Sequence, residues 1–391
     1  MRRILAMVLS GWLLAGPIVS QQETESEEAL ERYHITPETT RITGPLDENG
    51  KLDFYAAINQ RAAKGVTRDN NAARFILGTL PDGYSVWTEE ELESLREAIE
   101  LDWLPMDYPR LVHIDTFAED HADEELATRY WDNYAMPMDS DEFPLIAMYV
   151  ELNDPALDEI VKATNLPRFF VPLKGMALDE NQPHIDLPMS FNETLISSDL
   201  HHIGETRSIA RLLVSRAMLR IGAGDYEAAW SDILAVRRLG RLVGSGPTLI
   251  EGLVGISITG IACNAARELI VHAAANENQD DEPDWQALFD EWGEDFHTAD
   301  VVNQFDFAER LMYIELITMI ADDRIGILDA ILAGPISSDG SHQVLRDSID
   351  EVISDINVMG EIDWNEGLRW SNTFYDRLVA NAGNADAAQR T

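Results

Sequence analysis

A single cysteine, Cys263, in 391 residues excludes an intrachain disulfide framework, because a lone thiol has nothing to pair with. Lysine is nearly as scarce. Lys51, Lys64, Lys162 and Lys174 are the whole set, and all bases together number 29 against 70 acids. The resulting net charge of -41 repels phosphate backbones and anionic lipid headgroups, which excludes a general binder of nucleic acid or of membrane surfaces. Any anionic partner needs a local basic island. Also missing are a GxSxG elbow, a phosphate-cradling GxxxxGK, a paired CxxC and a GxGxxG after a strand, so no familiar nucleophile or nucleotide site is signalled. No metal and no cofactor is expected.

What is present is enough apolar residue, 45% of the chain, to bury a core. Arg2 and Arg3 precede an apolar stretch from Ile4 to Ala15, followed by Gly16, Pro17 and Ser20, which is the order of a secretory signal peptide. Residues 1–20 are therefore expected to be removed, and the mature protein to be exported, periplasmic or secreted. The apolar run is shorter than the roughly 20 residues that span a bilayer, and no membrane insertion is expected after signal removal. An excess of carboxylates with Arg preferred to Lys suits salty water, where screening weakens self-repulsion; it equally keeps an exported protein soluble.

The expected organisation is an acidic, disordered leader over 21–44, one large helical domain over 45–380 with an amino-terminal subdomain over 45–175, and a disordered tail over 381–391. Asp47–Gly50 reads as a turn, and Phe54, Ile58 and Ala62 follow at helical spacing. Thr88 with Glu91, and Asp154 before Pro155, mark helix starts; the segment around FAEDHADEELATRYWDNYAMP reads as one helix. RLVHID (110–115) and RFFVPLK (168–174) are the only strand candidates. From about 193 to 380 the pattern is helical, broken at GAGD (222–225), GSGP (244–247) and AGPISSDG (333–340), which predicts an all-α architecture of stacked antiparallel helical hairpins. GPTLIEGLVGISITGIACNAARELIVHAA is apolar on nearly every face between Gly252 and Ala266. That predicts a central core helix, with Cys263 buried and inert and with Gly252, Gly255 and Gly260 admitting close neighbours.

Two sets of residues point to function. Tyr226, Trp230, Leu234, Arg237 and Arg241 share one side of a helix, an aromatic and basic stripe suited to stacking on and charge-pairing a ligand or a protein or peptide partner in the envelope. Packing between helices is the alternative. His201, His202 and Glu205 form a local HHxxE cluster, and the next His, His184, lies across a proline-containing loop. Arg216 and Arg220 lie beside apolar neighbours and need acid partners, for which Glu251 and Glu315 are the candidates. Asn192-Glu193-Thr194 is a sequon, and Trp285, Trp292, Trp364 and Trp370 are candidates for a carbohydrate groove.

The run ARLLVSRAMLRIGAGDYEAAWSDILAVRRLGRLV resembles one tetratricopeptide-type helical hairpin, with Ala217, the Gly224-Asp225-Tyr226 turn and Ala229 in the family's places. More widely, the signal segment, LDENGKLDFYAAINQRAAKGVTRDNNAA, FPLIAMYVELNDPALDEIVKATNLPRFFVPL and RRLGRLVGSGPTLIEGLVGISI resemble a group of uncharacterised exported proteins of planctomycete bacteria. That resemblance implies export and a helical body and transfers no catalytic residue. The expected function is an interaction or scaffold module of the cell envelope. The competing expectation is a periplasmic hydrolase of an anionic glycan or peptide. Glu205 or Glu251 would be its general base, His202 the partner, and the arginines would hold substrate, which requires Glu251, His202 and Arg220 to meet in one cleft.

Overall fold

The computed structural model describes residues 32–81, 93, 96–101, 104–175, 194–276, 284–294, 301–321 and 363–389. The signal segment, the Thr88–Glu91 helix start, His184, Asn192 and the 333–340 break lie outside them. The described residues are all-α, with no strand among them. They fall into two units, one drawn from Met1–Thr43 and Tyr313–Phe374, the other from Gly44–Asp179, Asn192–Met312 and Tyr375–Thr391.

Three consecutive helices form the centre of the larger unit: α6 (His201–Gly222), α7 (Tyr226–Gly244) and α8 (Leu249–Ala275). Local chemistry sets their ends. Gly224 takes φ +80°, a left-handed turn that a side chain disfavours, and Asp225 then caps α7 by accepting from the Ala228 amide. At the next break Thr248 and Glu251 close a reciprocal capping box on α8. Leu213, Ala217 and Ile221 of α6, Ala229, Ile233 and Leu239 of α7, and Ile258, Ala262 and Leu269 of α8 are wholly buried. The α7–α8 crossing is close enough that a Cβ on Gly255 would lie 2.4 Å from the Gly244 Cα and 2.5 Å from the Gly240 carbonyl oxygen.

Around this centre stand α1 (Phe54–Ala62), α2 (Ala72–Leu77), α3 (Ile114–Asp120), α4 (Leu126–Asn133) and α5 (Pro144–Ala163). The Asp47–Gly50 turn forms as expected: the Asp47 carboxylate accepts from Asn49 and Lys51, and Asp53 caps α1. The single helix expected over the FAEDHADEELATRYWDNYAMP segment is two, because Ala122 takes φ +52° between α3 and α4. Asp154-Pro155 does not start a helix either. Pro144 occupies the first turn of α5, where its missing N–H costs nothing, and the helix runs through Pro155.

Neither strand candidate joins a sheet: 110–113 is extended and leads into α3 at Ile114, 168–173 is extended with one isolated bridge between Arg168 and Asn71, and asparagine side chains do much of the work of a neighbouring strand. Asn71 accepts from the Phe170 amide and donates to the Phe170 carbonyl, both at 2.9 Å. Asn59 does the same for Leu173 at 2.8 Å, and Asn153, fully buried in α5, brackets Val112. The backbone groups of an extended chain are thus satisfied without a sheet.

In the smaller unit the described part of the expected leader, from residue 32, is tied to the fold at a few points and otherwise exposed or partly exposed. Thr39 and Thr40 are buried, Asn372 donates to the Glu38 and Thr39 carbonyls, and the His34 amide donates to Asn365. Helices α11 (Arg310–Ala321) and α12 (Trp364–Gln389) contribute to both units, and α12 continues into the expected tail as far as Gln389. The alanines of NADAAQ are strong helix formers, which favours extension over fraying. Short helices α9 (Trp285–Glu294) and α10 (Val301–Gln304), then a π-helical turn at Phe305–Glu309, precede α11.

Candidate functional site

The aromatic and basic stripe of α7 faces inward. Tyr226 is buried with its hydroxyl 3.2 Å from His272 Nδ1, and Trp230 packs against Trp292 at 5.5 Å between ring centroids. Arg237, 4% exposed, lies 4.1 Å over the Trp292 ring and donates to the Trp292 carbonyl; Arg241 is half-buried. The packing alternative describes this stripe, and the reason is position: the same face of α7 carries Leu234, which is buried against the neighbouring helices.

The arginines of α6 also find partners other than those expected. Asp232, fully buried on α7, accepts from Arg216 at 2.7 Å and from Arg220 at 2.7 Å, while Arg216 also reaches Asp158 at 2.8 Å and Asp154 at 3.3 Å. Burial works against the Arg216 charge, but the Asp232 carboxylate outweighs it and holds the guanidinium above its ordinary pKa. The acids that answer these arginines sit on α7 and α5, in reach across the helix packing. Glu251 is occupied at the α8 cap.

The HHxxE cluster divides. His201 Nδ1 lies 2.7 Å from Asp199, and His202 points inward, 4% exposed, with Nε2 3.9 Å from Glu251 Oε1. Glu205 is buried one turn further along. Among the described residues no three His, Cys, Asp or Glu side chains gather as a metal site would need. His202 and Arg220 are 18 residues apart on the same straight element, about 27 Å at 1.5 Å per residue. The three-group cleft required of a hydrolase is therefore overturned, although His202 and Glu251 do meet.

What lies in front of that pair was not singled out by motif. His202 stacks on Phe169, and the Glu251 carboxylate lies directly under Gly246, where an added Cβ would fall 2.3 Å from it. Phe169 and Gly246 form part of the wall of an open cleft of about 210 Å³. Three cations line it: Arg61 from the end of α1, Lys64 just beyond, and Arg168 from the extended segment. No carboxylate lines it, and among the described residues none of the three cations forms an ion pair with an acid. Arg61 is held at 4.0 Å over Phe307 and donates to Asn303. The two helix-end carbonyls beside the cleft, those of Gly244 and Gly246, are both taken by Gln304 Nε2 at 3.1 and 2.8 Å.

A signal for this cleft does exist in the sequence. Most of its walls, and all three cations, come from three stretches without a single acid, 54–68, 160–178 and 233–250, in a chain where acids are 70 of 391 residues; a fourth stretch, which supplies Asn303, Gln304 and Phe307, includes Asp306. Read one at a time these stretches look like ordinary helix and loop; only the fold brings them together.

The second feature that motif reading missed is on α8. Its inner side is buried, but Ile250, Leu253, Ile256 and Val271 are 41–55% exposed, and Cys263, expected to be buried, is exposed on the same side. The helix is long and apolar enough to cross a membrane by length and composition, with 39% of its most apolar window buried inside the fold. Compared with known protein families, curated proteins and solved structures, the chain matches none.

Proposed function

We propose that the protein is an exported interaction module of the cell envelope and that α8 carries its contact face. The observation that carries this reading is the outer ridge of α8, where Ile250, Leu253 and Ile256 stand half-exposed at successive turns with Gly260 and Cys263 beyond them. Apolar side chains aligned in this way on a folded surface mark a place where another surface docks. Charge favours the same face: from Gly252 to Arg267 α8 has no acid, so the long-range repulsion of a chain with net charge -41 is locally weakest there. The partner that fits is a protein presenting an apolar helical face, since anionic lipid is repelled by the rest of the surface. The amino-terminal segment supports export, periplasmic or secreted, and the α6–α7 hairpin is the kind of element that builds scaffolds.

The test uses the protein's own single thiol. A bifunctional crosslinker on Cys263 is expected to give one discrete adduct from the envelope fraction. The purified partner should then bind wild-type protein at least about tenfold more tightly than a Leu253→Glu, Ile256→Glu double variant with an unchanged melting temperature. An adduct of twice the chain's own mass would replace the partner with a second copy. Retention of full affinity by the double variant would remove α8 from the interface.

A further inference from the structure

We infer that the cleft bounded by Arg61, Lys64 and Arg168 is a binding site for a dianionic oxyanion group, a phosphate or a phosphate monoester, on a small ligand. The argument begins with electrostatic scarcity. Bases are outnumbered 70 to 29 in this chain, and several arginines elsewhere in the described residues meet acids, as Arg216, Arg220, Arg129 and Arg310 do, while Arg74 and Arg110 are taken up by backbone carbonyls. Three cations converging on one cleft with no carboxylate among its lining residues repel one another. Such an arrangement lowers its energy when an anion enters.

Three cations favour a ligand group that carries more than one negative charge. A carboxylate is satisfied by one forked guanidinium, whereas two guanidiniums and an ammonium match a group with two charges and three terminal oxygens. Arg61 is preorganised for this task, because Phe307 supports the flat of its guanidinium and Asn303 takes one of its N–H groups. At the helix end the Gly244 and Gly246 carbonyls are already engaged by Gln304 Nε2. Phe169, Phe170 and Pro247 supply an apolar wall beside the cations, and the cleft of about 210 Å³ has room for a short organic stem on the oxyanion. This site stands on different residues from the α8 face, and each can fail without the other.

The experiment is calorimetric titration of the mature protein, at constant ionic strength, with inorganic phosphate, glucose 6-phosphate and acetate. Saturable one-to-one binding of phosphate or the monoester, with acetate at least about tenfold weaker, is expected. Arg168→Gln and Lys64→Gln, both at exposed positions, are expected to weaken it by at least about tenfold each while leaving the melting temperature in place. Arg61→Lys, which keeps the charge and loses the fork, should weaken it as well. Tighter binding of the monoester identifies the organic phosphate as the ligand class, and equal binding identifies the free anion. No saturable heat with either, or affinity untouched by Arg168→Gln and Lys64→Gln, overturns the site; acetate binding as tightly as phosphate overturns its dianionic character.

Discussion

Asp232 shows how much of this fold depends on single polar side chains. Its two oxygens receive Arg216 through Nε and Nη2, at 2.7 to 3.2 Å, and Arg220 at 2.7 Å; Asp232 and Arg216 are buried and Arg220 is partly exposed. Removing the carboxylate leaves the buried Arg216 with only the half- to fully exposed Asp154 and Asp158. Asp232→Ala is expected to cost about 3–5 kcal/mol in chemical denaturation, because a buried charge that loses its partner keeps its desolvation penalty. A loss below about 1 kcal/mol would show that water reaches Arg216. Glu309 gives the opposite kind of effect. Burial lifts its carboxyl above the ordinary glutamate value, with only the Leu249 amide, 3.3 Å away, opposing the shift. A carboxyl with a raised folded-state pKa holds its proton more firmly when folded, so its contribution to stability declines as pH rises from the ordinary glutamate value through the raised one. Glu309→Gln should therefore stabilise the protein at pH 7–8, and the gain should vanish near pH 4. A gain of equal size at both pH values would remove ionisation as the cause.

At the scale of the element, glycine has two opposite meanings within one helix. Gly255 is where α8 meets α7, and a methyl group there would strike the Gly244 Cα and the Gly240 carbonyl, backbone atoms that cannot rotate away. Gly260, five residues on, faces open space. Gly255→Ala is expected to destabilise by about 1–3 kcal/mol through overpacking. Gly260→Ala should stabilise by up to about 1 kcal/mol through helix propensity, both read from thermal or denaturant melts. Equal effects at the two sites would mean that α7 and α8 are not in this close register. The sequence spoke clearly where local chemistry decides the outcome: the Gly224 and Asp225 turn, the break at 244–247 and the Asp47 turn form where the residue types place them. It misled where a local signal was outweighed by the apolar run around it, as at Asp154-Pro155 inside α5. The strand candidates failed for a different reason. Extended backbone at 110–112 and 168–173 is real, but the side chains of Asn59, Asn71 and Asn153 that satisfy it are 40 or more residues away. The same distance hid the cleft, whose cations Arg61, Lys64 and Arg168 belong to segments that say nothing alone.

For the whole molecule the dominant fact is an excess of 41 negative charges, and among the described residues the buried acids are few: Asp199, Glu205, Asp232, Glu251 and Glu315. Like charges crowded on a folded surface oppose the compact state, and salt relieves them by shortening the range of repulsion from about 10 Å at 0.1 M to about 3 Å at 1 M. The melting temperature should therefore climb as sodium chloride is raised from about 0.02 to 1 M, most steeply at the low end, where the screening length changes fastest. Potassium chloride should give the same curve, since screening does not distinguish the two cations. The buried Arg216–Asp232 pair is screened far less than the surface, so the Asp232→Ala penalty should be nearly constant along the series. Anion binding in the cleft has the opposite sign. Salt weakens the attraction of Arg61, Lys64 and Arg168 for phosphate while it strengthens the fold around them. Phosphate affinity and melting temperature measured across one salt series should thus move in opposite directions. A melting temperature that stays flat or falls with salt would mean that the surface carboxylates are already neutralised by bound cations, and the surplus charge would then bear on recognition and not on stability.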